Sequence, residues 1–281
     1  MSGPSLSFAK YQGTGNDFVV IDGREGLPSV DWAAAARRIC DRHYGVGADG
    51  LLIITPGTAA PYKMLVINAD GSVPEMCGNG LRCVARFLYD RGAVGFGPFE
   101  VETGAGVLRP EVLPDLQVRV DMGRPSLARE QIPMEGPPMA QVVEEPVGMD
   151  GAVVLVTAVS MGNPHAIIFV RDVAKVPLAD WGPRLESHPV FPARTNVEFV
   201  EIVDRGRARM RVWERGAGPT LACGTGACAT LVAGVLTGRM DREGVIELPG
   251  GPLAITWDDQ DHVWLTGEAA PVFEGRVALE E

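Results

Sequence analysis

Apolar and polar positions along the chain follow two periods. Residues 18–22, 51–55, 63–68, 106–112 and 116–121 alternate or run apolar over strand lengths between turn residues, which predicts a first group of strands. Residues 31–41 and 80–89 carry apolar side chains at helical spacing, with Arg91-Gly92 as a stop signal after the second. Past the middle, 152–160, 166–170, 196–203 and 207–214 read as strands. Residues 225–236 read as an apolar helix closed by Gly238, and 246–248, 253–257 and 262–266 as further strands. The expected class is α+β.

The same order of elements occurs twice. KMLVINADGSVPEMCGNG (63–80) aligns without gaps on RMRVWERGAGPTLACGTG (209–226), with Met64/Met210, Val66/Val212, Cys77/Cys223, Gly78/Gly224 and Gly80/Gly226 identical. TGNDFVVI (14–21) and MGNPHAII (161–168) match at nearly the same offset. An internal repeat of this length predicts two pseudo-symmetric domains. Their expected extents are 1–121, joined by the C-terminal 268–281, and 122–267. The boundary falls before the Pro-rich stretch 132–146.

Composition narrows the function. Apolar residues are 46% of 281 and charged residues 22%, the balance of a folded globular chain rather than a disordered one. With 25 Lys and Arg against 36 Asp and Glu, the net charge of −11 and the lack of a basic patch argue against a nucleic-acid partner. No stretch reaches the roughly 20 apolar residues of a membrane span. The opening residues lack a basic segment followed by an apolar one, so the expectation is a soluble, cytoplasmic protein. Five cysteines (Cys40, Cys77, Cys83, Cys223 and Cys228) are an odd number in a chain too large to need disulfide staples, and reduced thiols are expected.

Two of those thiols carry the candidate chemistry. In both halves a strand leads through a Gly-rich loop to Cys-Gly-Xaa-Gly and then an apolar helix, which places Cys77 and Cys223 at helix N-termini. Unpaired N–H groups and the helix dipole there stabilise anions, favouring a thiolate and offering a cradle for a carboxylate. Two symmetric sulfurs suit inversion of a carbon centre, one acting as base and the other as acid. A zinc site would use other spacings, a redox pair would show Cys-x-x-Cys, and a Cys-His hydrolase would leave the second cysteine unexplained. The turns also serve as plain tight helix entries. Cys40, Cys83 and Cys228 read as small apolar fillers.

At these residues the sequence resembles the diaminopimelate epimerase family. The resemblance rests on KYQGTGNDFVVID (10–22), RHYGVGADGLL (42–52), NADGSVPEMCGNGLRCVAR (68–86), MGNPHAI (161–167), RTNVEFV (194–200) and ERGAGPTLACGTGA (214–227). It implies two similar domains, each a curved, mostly antiparallel sheet or barrel around a central helix. The implied activity is cofactor-independent interconversion of LL- and meso-2,6-diaminoheptanedioate, a step toward lysine and peptidoglycan. The implied catalytic residues are Cys77 and Cys223, with His165 partnering the first and Glu214 the second. Backbone N–H groups of Gly78, Asn79, Gly224 and Thr225 would hold the α-carboxylate. Arg215 would clamp the distal carboxylate, with Asn16, Asn68, Asn163 and Asn196 among the substrate-binding residues. An Arg fork suits a carboxylate and Asn supplies both donors and acceptors. Read alone, each Asn is equally a turn or cap residue, His165 a structural histidine, and Glu214-Arg215 a surface pair.

Two further expectations follow. No metal or cofactor is implied; the partner is a small-molecule substrate, and a homodimer is compatible with the sequence. Some members of the family carry Gln where this chain has Gly50, so one polar group is missing. The alternatives are a proline or hydroxyproline racemase, whose family typically has His in place of Asn79, and a non-catalytic amino-acid-binding protein.

Overall fold

The computed structural model describes residues 5–74, 77–149 and 151–279. The chain divides into two compact units, one comprising residues up to Val120 together with those from Gly267 onward, the other running from Asp121 to Thr266.

In the first unit, β1 (Ser5–Gly13) and β2 (Asn16–Asp22) form a hairpin, and β3 (Gly50–Pro56) and β4 (Tyr62–Asn68) form another. Between them α1 (Trp32–Ile39) crosses over, so β2 and β3 pair in parallel. Asp31 starts this helix by accepting from the amides of Ala33 and Ala34. Period-2 alternation then sorts the sheet residues: Val19, Ile21, Leu51 and Ile53 pack with Ala35, Ala36 and Ile39 on one face. Phe18, Val20, Leu52 and Ile54 are equally buried, and Leu52 meets Gly80 of α2 (Gly78–Asp90).

Short strands follow, β5 (Gly97–Pro98), β6 (Val101–Thr103), β7 (Gly106–Leu108), β8 (Glu111–Val112) and β9 (Val118–Asp121). The single strand expected over 106–112 is split, because Pro110 has no N–H to give a ladder. A strand from the far end of the sequence, Ala270–Ala278 (β19), pairs antiparallel with β1 and completes the sheet β19-β1-β2-β3-β4-β6-β7.

The second unit contains β10 (Glu145–Met149), β11 (Ala152–Ser160), β12 (Pro164–Val170), α3 (Leu178–Glu186), β13 (Asn196–Asp204) and β14 (Arg207–Glu214). After it come β15 (Gly218–Thr220), α4 (Gly224–Leu236), β16 (Glu243–Leu248), β17 (Gly251–Trp257) and β18 (Val263–Gly267). Pairings repeat those of the first unit. β11/β12 is antiparallel, β12/β13 parallel across α3, β13/β14 antiparallel and β14/β16 parallel, as are β1/β2, β2/β3, β3/β4 and β4/β6 in turn. Phe18 pairs with Gly50 in the first unit where His165 pairs with Asn196 in the second.

Beyond its first turn, α4 is packed mainly by apolar side chains. Ala227, Cys228, Ala229, Leu231, Val232 and Ala233 pack with Ile167, Val200, Met210, Val212 and Ile246. The alternate strand residues Ala166, Ile168, Val197 and Phe199 pack on the other face with Leu178 and Leu185 of α3. Strands β1 and β10 and helix α3 were not expected from sequence. In α3 the cause is local: it contains Gly182 and Pro183 and has no side-chain N-cap. A Cβ on Gly182 would stand 2.5 Å from the Trp213 ring, so close packing requires a residue that disfavours helix. Among the described residues, no helix is long and apolar enough to cross a membrane.

Candidate active site

Cys77 and Cys223 are the N-caps of α2 and α4, both with extended backbone. Each sulfur accepts the amide three residues on, Gly80 N–H at 3.3 Å and Gly226 N–H at 3.3 Å. Each carbonyl takes the next, from Leu81 and from Ala227. The amides of Gly78 and Asn79, and of Gly224 and Thr225, are the remaining donors at the open end of each helix. Space is short at both glycines: a Cβ at 226 would lie 2.7 Å from Glu198 Oε1 and 3.2 Å from the Cys223 sulfur, and one at 80 would lie 2.9 Å from a Leu52 methyl. All five cysteines are thiols.

The surroundings of the two caps differ. In the first unit, Asn79 donates to Asn16 Oδ1 at 3.2 Å, and Asn16 donates to Asp49 at 2.6 Å. Arg42 bridges Asp49 and Asp17, 2.7 Å from each, and Lys10 reaches Asp17 at 2.8 Å. Burial opposes the charge on Asp17, yet hydrogen bonds from Arg42 and Lys10 hold its carboxyl down at about 2. Asn68 closes the turn after β4 by donating to Ser72 Oγ at 2.9 Å. At Gly50 a Cβ would lie 2.7 Å from the Ile67 carbonyl oxygen, which leaves no place for a polar side chain.

In the second unit, the α4-facing positions of three adjacent strands carry His165, Asn196, Glu198 and Glu214. His165 Nδ1 is 2.7 Å from Glu198 Oε1, and Nε2 is 3.0 Å from Asn163 Oδ1. Asn163 donates to Thr225 Oγ1 at 3.3 Å, and Thr225 Oγ1 lies 3.5 Å from Cys223 Sγ. Burial pushes the Glu214 carboxyl up, against hydrogen bonds from Thr220 and Cys223 that lower it. Burial also pushes the Cys223 thiol well up, reinforced by the charges of Glu214 and Glu198.

Asn196 is a bracket: it donates to the Pro164 carbonyl at 2.8 Å and accepts the Arg215 amide at 2.9 Å. Adjacent strand residues face opposite ways, but β14 ends at Glu214 and the chain turns through Gly216 and Gly218, both with positive φ. The exposed Arg215 side chain donates to the Ala193 carbonyl at 3.1 Å.

The structure therefore groups His165, Asn163, Thr225, Glu214 and Cys223 around one helix cap, and Asn16, Asn79 and Cys77 around the other. His165, expected to partner Cys77, bonds Glu198 and Asn163 within its own unit. Sequence reasoning missed Glu198, whose signal is a lone acid in the apolar run NVEFV, and Glu186, which anchors the Arg215 turn. Among the described residues, no group of three or more His, Cys, Asp or Glu is placed to hold a metal ion.

Comparison with known proteins places the fold and then the family. A phenazine biosynthesis protein of the PhzF family from Bacillus anthracis superposes with a TM-score of 0.73 at 15% identity, over 98% of this chain and 100% of that one. A hydroxyproline epimerase from Agrobacterium vitis superposes with a TM-score of 0.69 at 15% identity, over 100% and 93%. The architecture is thus that of the epimerase and PhzF-like proteins, a class of two pseudo-symmetric α+β units. The family description "Diaminopimelate epimerase" matches residues 8–128 and 157–272. A diaminopimelate epimerase from Heliobacterium modesticaldum is 52% identical over 98% of this chain and 100% of its own length. This chain belongs to the diaminopimelate epimerase family.

Proposed function

We propose that the protein is an isomerase that interconverts LL- and meso-2,6-diaminoheptanedioate, in the route to lysine and peptidoglycan precursors, by two-base proton transfer between sulfur and one α-carbon. The carrying observation is the matched pair of helix-capping cysteines, one in each unit of a repeat. A thiolate removes the α-proton and becomes a thiol; the second thiol delivers its proton to the opposite face and becomes a thiolate. No electron leaves the substrate, so the scheme needs no redox cofactor. First-turn amides of Gly78, Asn79, Gly224 and Thr225 hold the α-carboxylate, whose negative charge grows as the α-proton departs. Glu214, within hydrogen-bonding reach of Cys223, accepts a proton from that sulfur or returns one to it. His165 works with Cys77, and Arg215 forks onto the distal carboxylate while Asn16, Asn68, Asn163 and Asn196 shape the polar lining.

A proline-type substrate has no distal carboxylate for Arg215, and a silent binding protein has no use for two capped thiols. The −11 net charge argues against a nucleic-acid partner, and we place the enzyme in the cytoplasm, where a homodimer is compatible with its sequence. The deciding experiment is proton NMR in D2O with LL-diaminopimelate and L-proline offered separately. Loss of the α-proton signal from diaminopimelate alone is expected; exchange of proline instead transfers the assignment to the racemase reading.

A further inference from the structure

The two units give equivalent positions different residues. Where the second unit has Glu198 and Glu214, the repeat places Leu52 and Asn68 in the first. The location is equivalent in space as well. A Cβ on Gly226 would sit 2.7 Å from Glu198 Oε1 and 3.2 Å from Cys223 Sγ, and a Cβ on Gly80 would sit 2.9 Å from Leu52 Cδ2 and 3.4 Å from Cys77 Sγ. Glu198 thus puts a carboxylate oxygen under the first turn of α4 beside the sulfur, where the first unit has a methyl group.

Glu198 is fully buried, its Oε2 has no hydrogen-bond partner among the described residues, and its Oε1 is held by His165. A buried acid with one oxygen unpaired is costly, and in so dry a site its charge acts strongly on its neighbours. Cys223 is faced by Glu214 from β14 and Glu198 from β13, with His165 from β12 behind Glu198 and the Thr225 hydroxyl alongside. Like charge beside a sulfur disfavours its thiolate, against the pull of the helix N-terminus.

Resting on the two-thiol reading above, we propose that Glu198 is a positioning residue that keeps Cys223 as the proton-carrying thiol of the pair and leaves Cys77 to begin as the thiolate. The repeat thereby becomes chemically asymmetric while its backbone stays symmetric. An uncharged residue at 198 releases Cys223 toward the thiolate without touching the substrate.

The test is alkylation of the intact chain by iodoacetamide from about pH 6 to 10, with peptide mapping and each thiol's rate normalised to its own plateau so that accessibility cancels. In the wild type the Cys223 curve should rise about one pH unit or more above that of Cys77. In Glu198→Gln it should move down, with Cys223 reacting roughly tenfold faster at neutral pH and Cys77 unchanged. A Cys223 curve that does not move in Glu198→Gln overturns the inference. Should that variant not fold, a wild-type Cys223 that ionises at or below the pH of Cys77 overturns it equally. Neither arm needs substrate, so a wild type that fails to exchange diaminopimelate counts against the epimerase reading alone.

Discussion

The Glu186 carboxylate accepts the Gly216 amide proton at 2.9 Å, so the last residue of α3 fixes the turn that presents Arg215. Its other oxygen takes the Trp213 indole N–H at 2.7 Å, and Arg194 lies 3.2 Å from the first. Glu186→Ala strands two donors, each costing about 1–3 kcal/mol when left unsatisfied out of water. The urea midpoint should fall by an amount equivalent to roughly 2–4 kcal/mol, and KM for diaminopimelate should rise more than kcat falls. An unchanged midpoint with an unchanged KM would remove the anchoring role.

On the proposed assignment Arg215 carries the specificity. Loss of one partner of a desolvated charge pair costs about 2–5 kcal/mol, or roughly 30- to several-thousand-fold in kcat/KM. Arg215→Met should show that loss with diaminopimelate while circular dichroism and thiol content stay as in the wild type. Normal turnover by this variant would sink the distal-carboxylate assignment.

On the proposed two-base scheme, replacing either capping cysteine removes one of the two proton carriers. Cys77→Ala and Cys223→Ala should each abolish net epimerisation, read as the rate of LL-to-meso conversion, because every turnover needs a base and an acid. Full conversion by either single variant contradicts the two-base scheme.

Gly226 has no room for growth. The added methyl of Gly226→Ala meets a carboxylate that His165 holds 2.7 Å away, so relief requires moving a fully buried pair. Overpacking of this kind costs about 1–3 kcal/mol. A thermal unfolding midpoint equal to that of the wild type would show that the strand beneath yields.

The Asp17 network predicts acid sensitivity. A carboxyl held at about 2 in the folded chain, against about 3.9 when unfolded, contributes stability that is complete above the unfolded value and is lost as pH falls through about 2. Screening around the half-exposed Arg42 limits this to about 1 kcal/mol. Between about pH 4 and 2 the wild type should lose more stability in urea than Asp17→Asn does; parallel losses would discount the network.

How much of this could be read from sequence depended on whether the signal was local. The helices at 31–41, 80–89 and 225–236 appear as α1, α2 and α4 within a few residues, because the apolar spacing lies within each segment and the N-cap lies in it or just ahead of it. The repeat was legible because identical Cys and Gly positions share one offset. By contrast, α3 hides behind Gly182 and Pro183, and the glycine's justification is the Trp213 ring about thirty residues away. Glu198 escaped notice for a related reason: its importance lies in lateral neighbours, His165 on one strand and Gly226 at a helix start, and neither is adjacent in the chain. The turn at Gly216 and Gly218 was readable from glycine alone, whereas its anchor at Glu186 was not.

The pairing of β1 with β19 has a consequence for how the molecule is made. The second unit is continuous in sequence, so all of its strands and the largely apolar α4 emerge from the ribosome together and can wrap that helix at once. The first unit starts earlier but lacks its edge strand until 270–278 has been translated, after the entire second unit. During that interval the β1 edge is an open row of N–H and C=O groups, a template for pairing with another chain. Truncation just before Ala270 should therefore yield a protein whose later-made half is folded and whose earlier-made half aggregates.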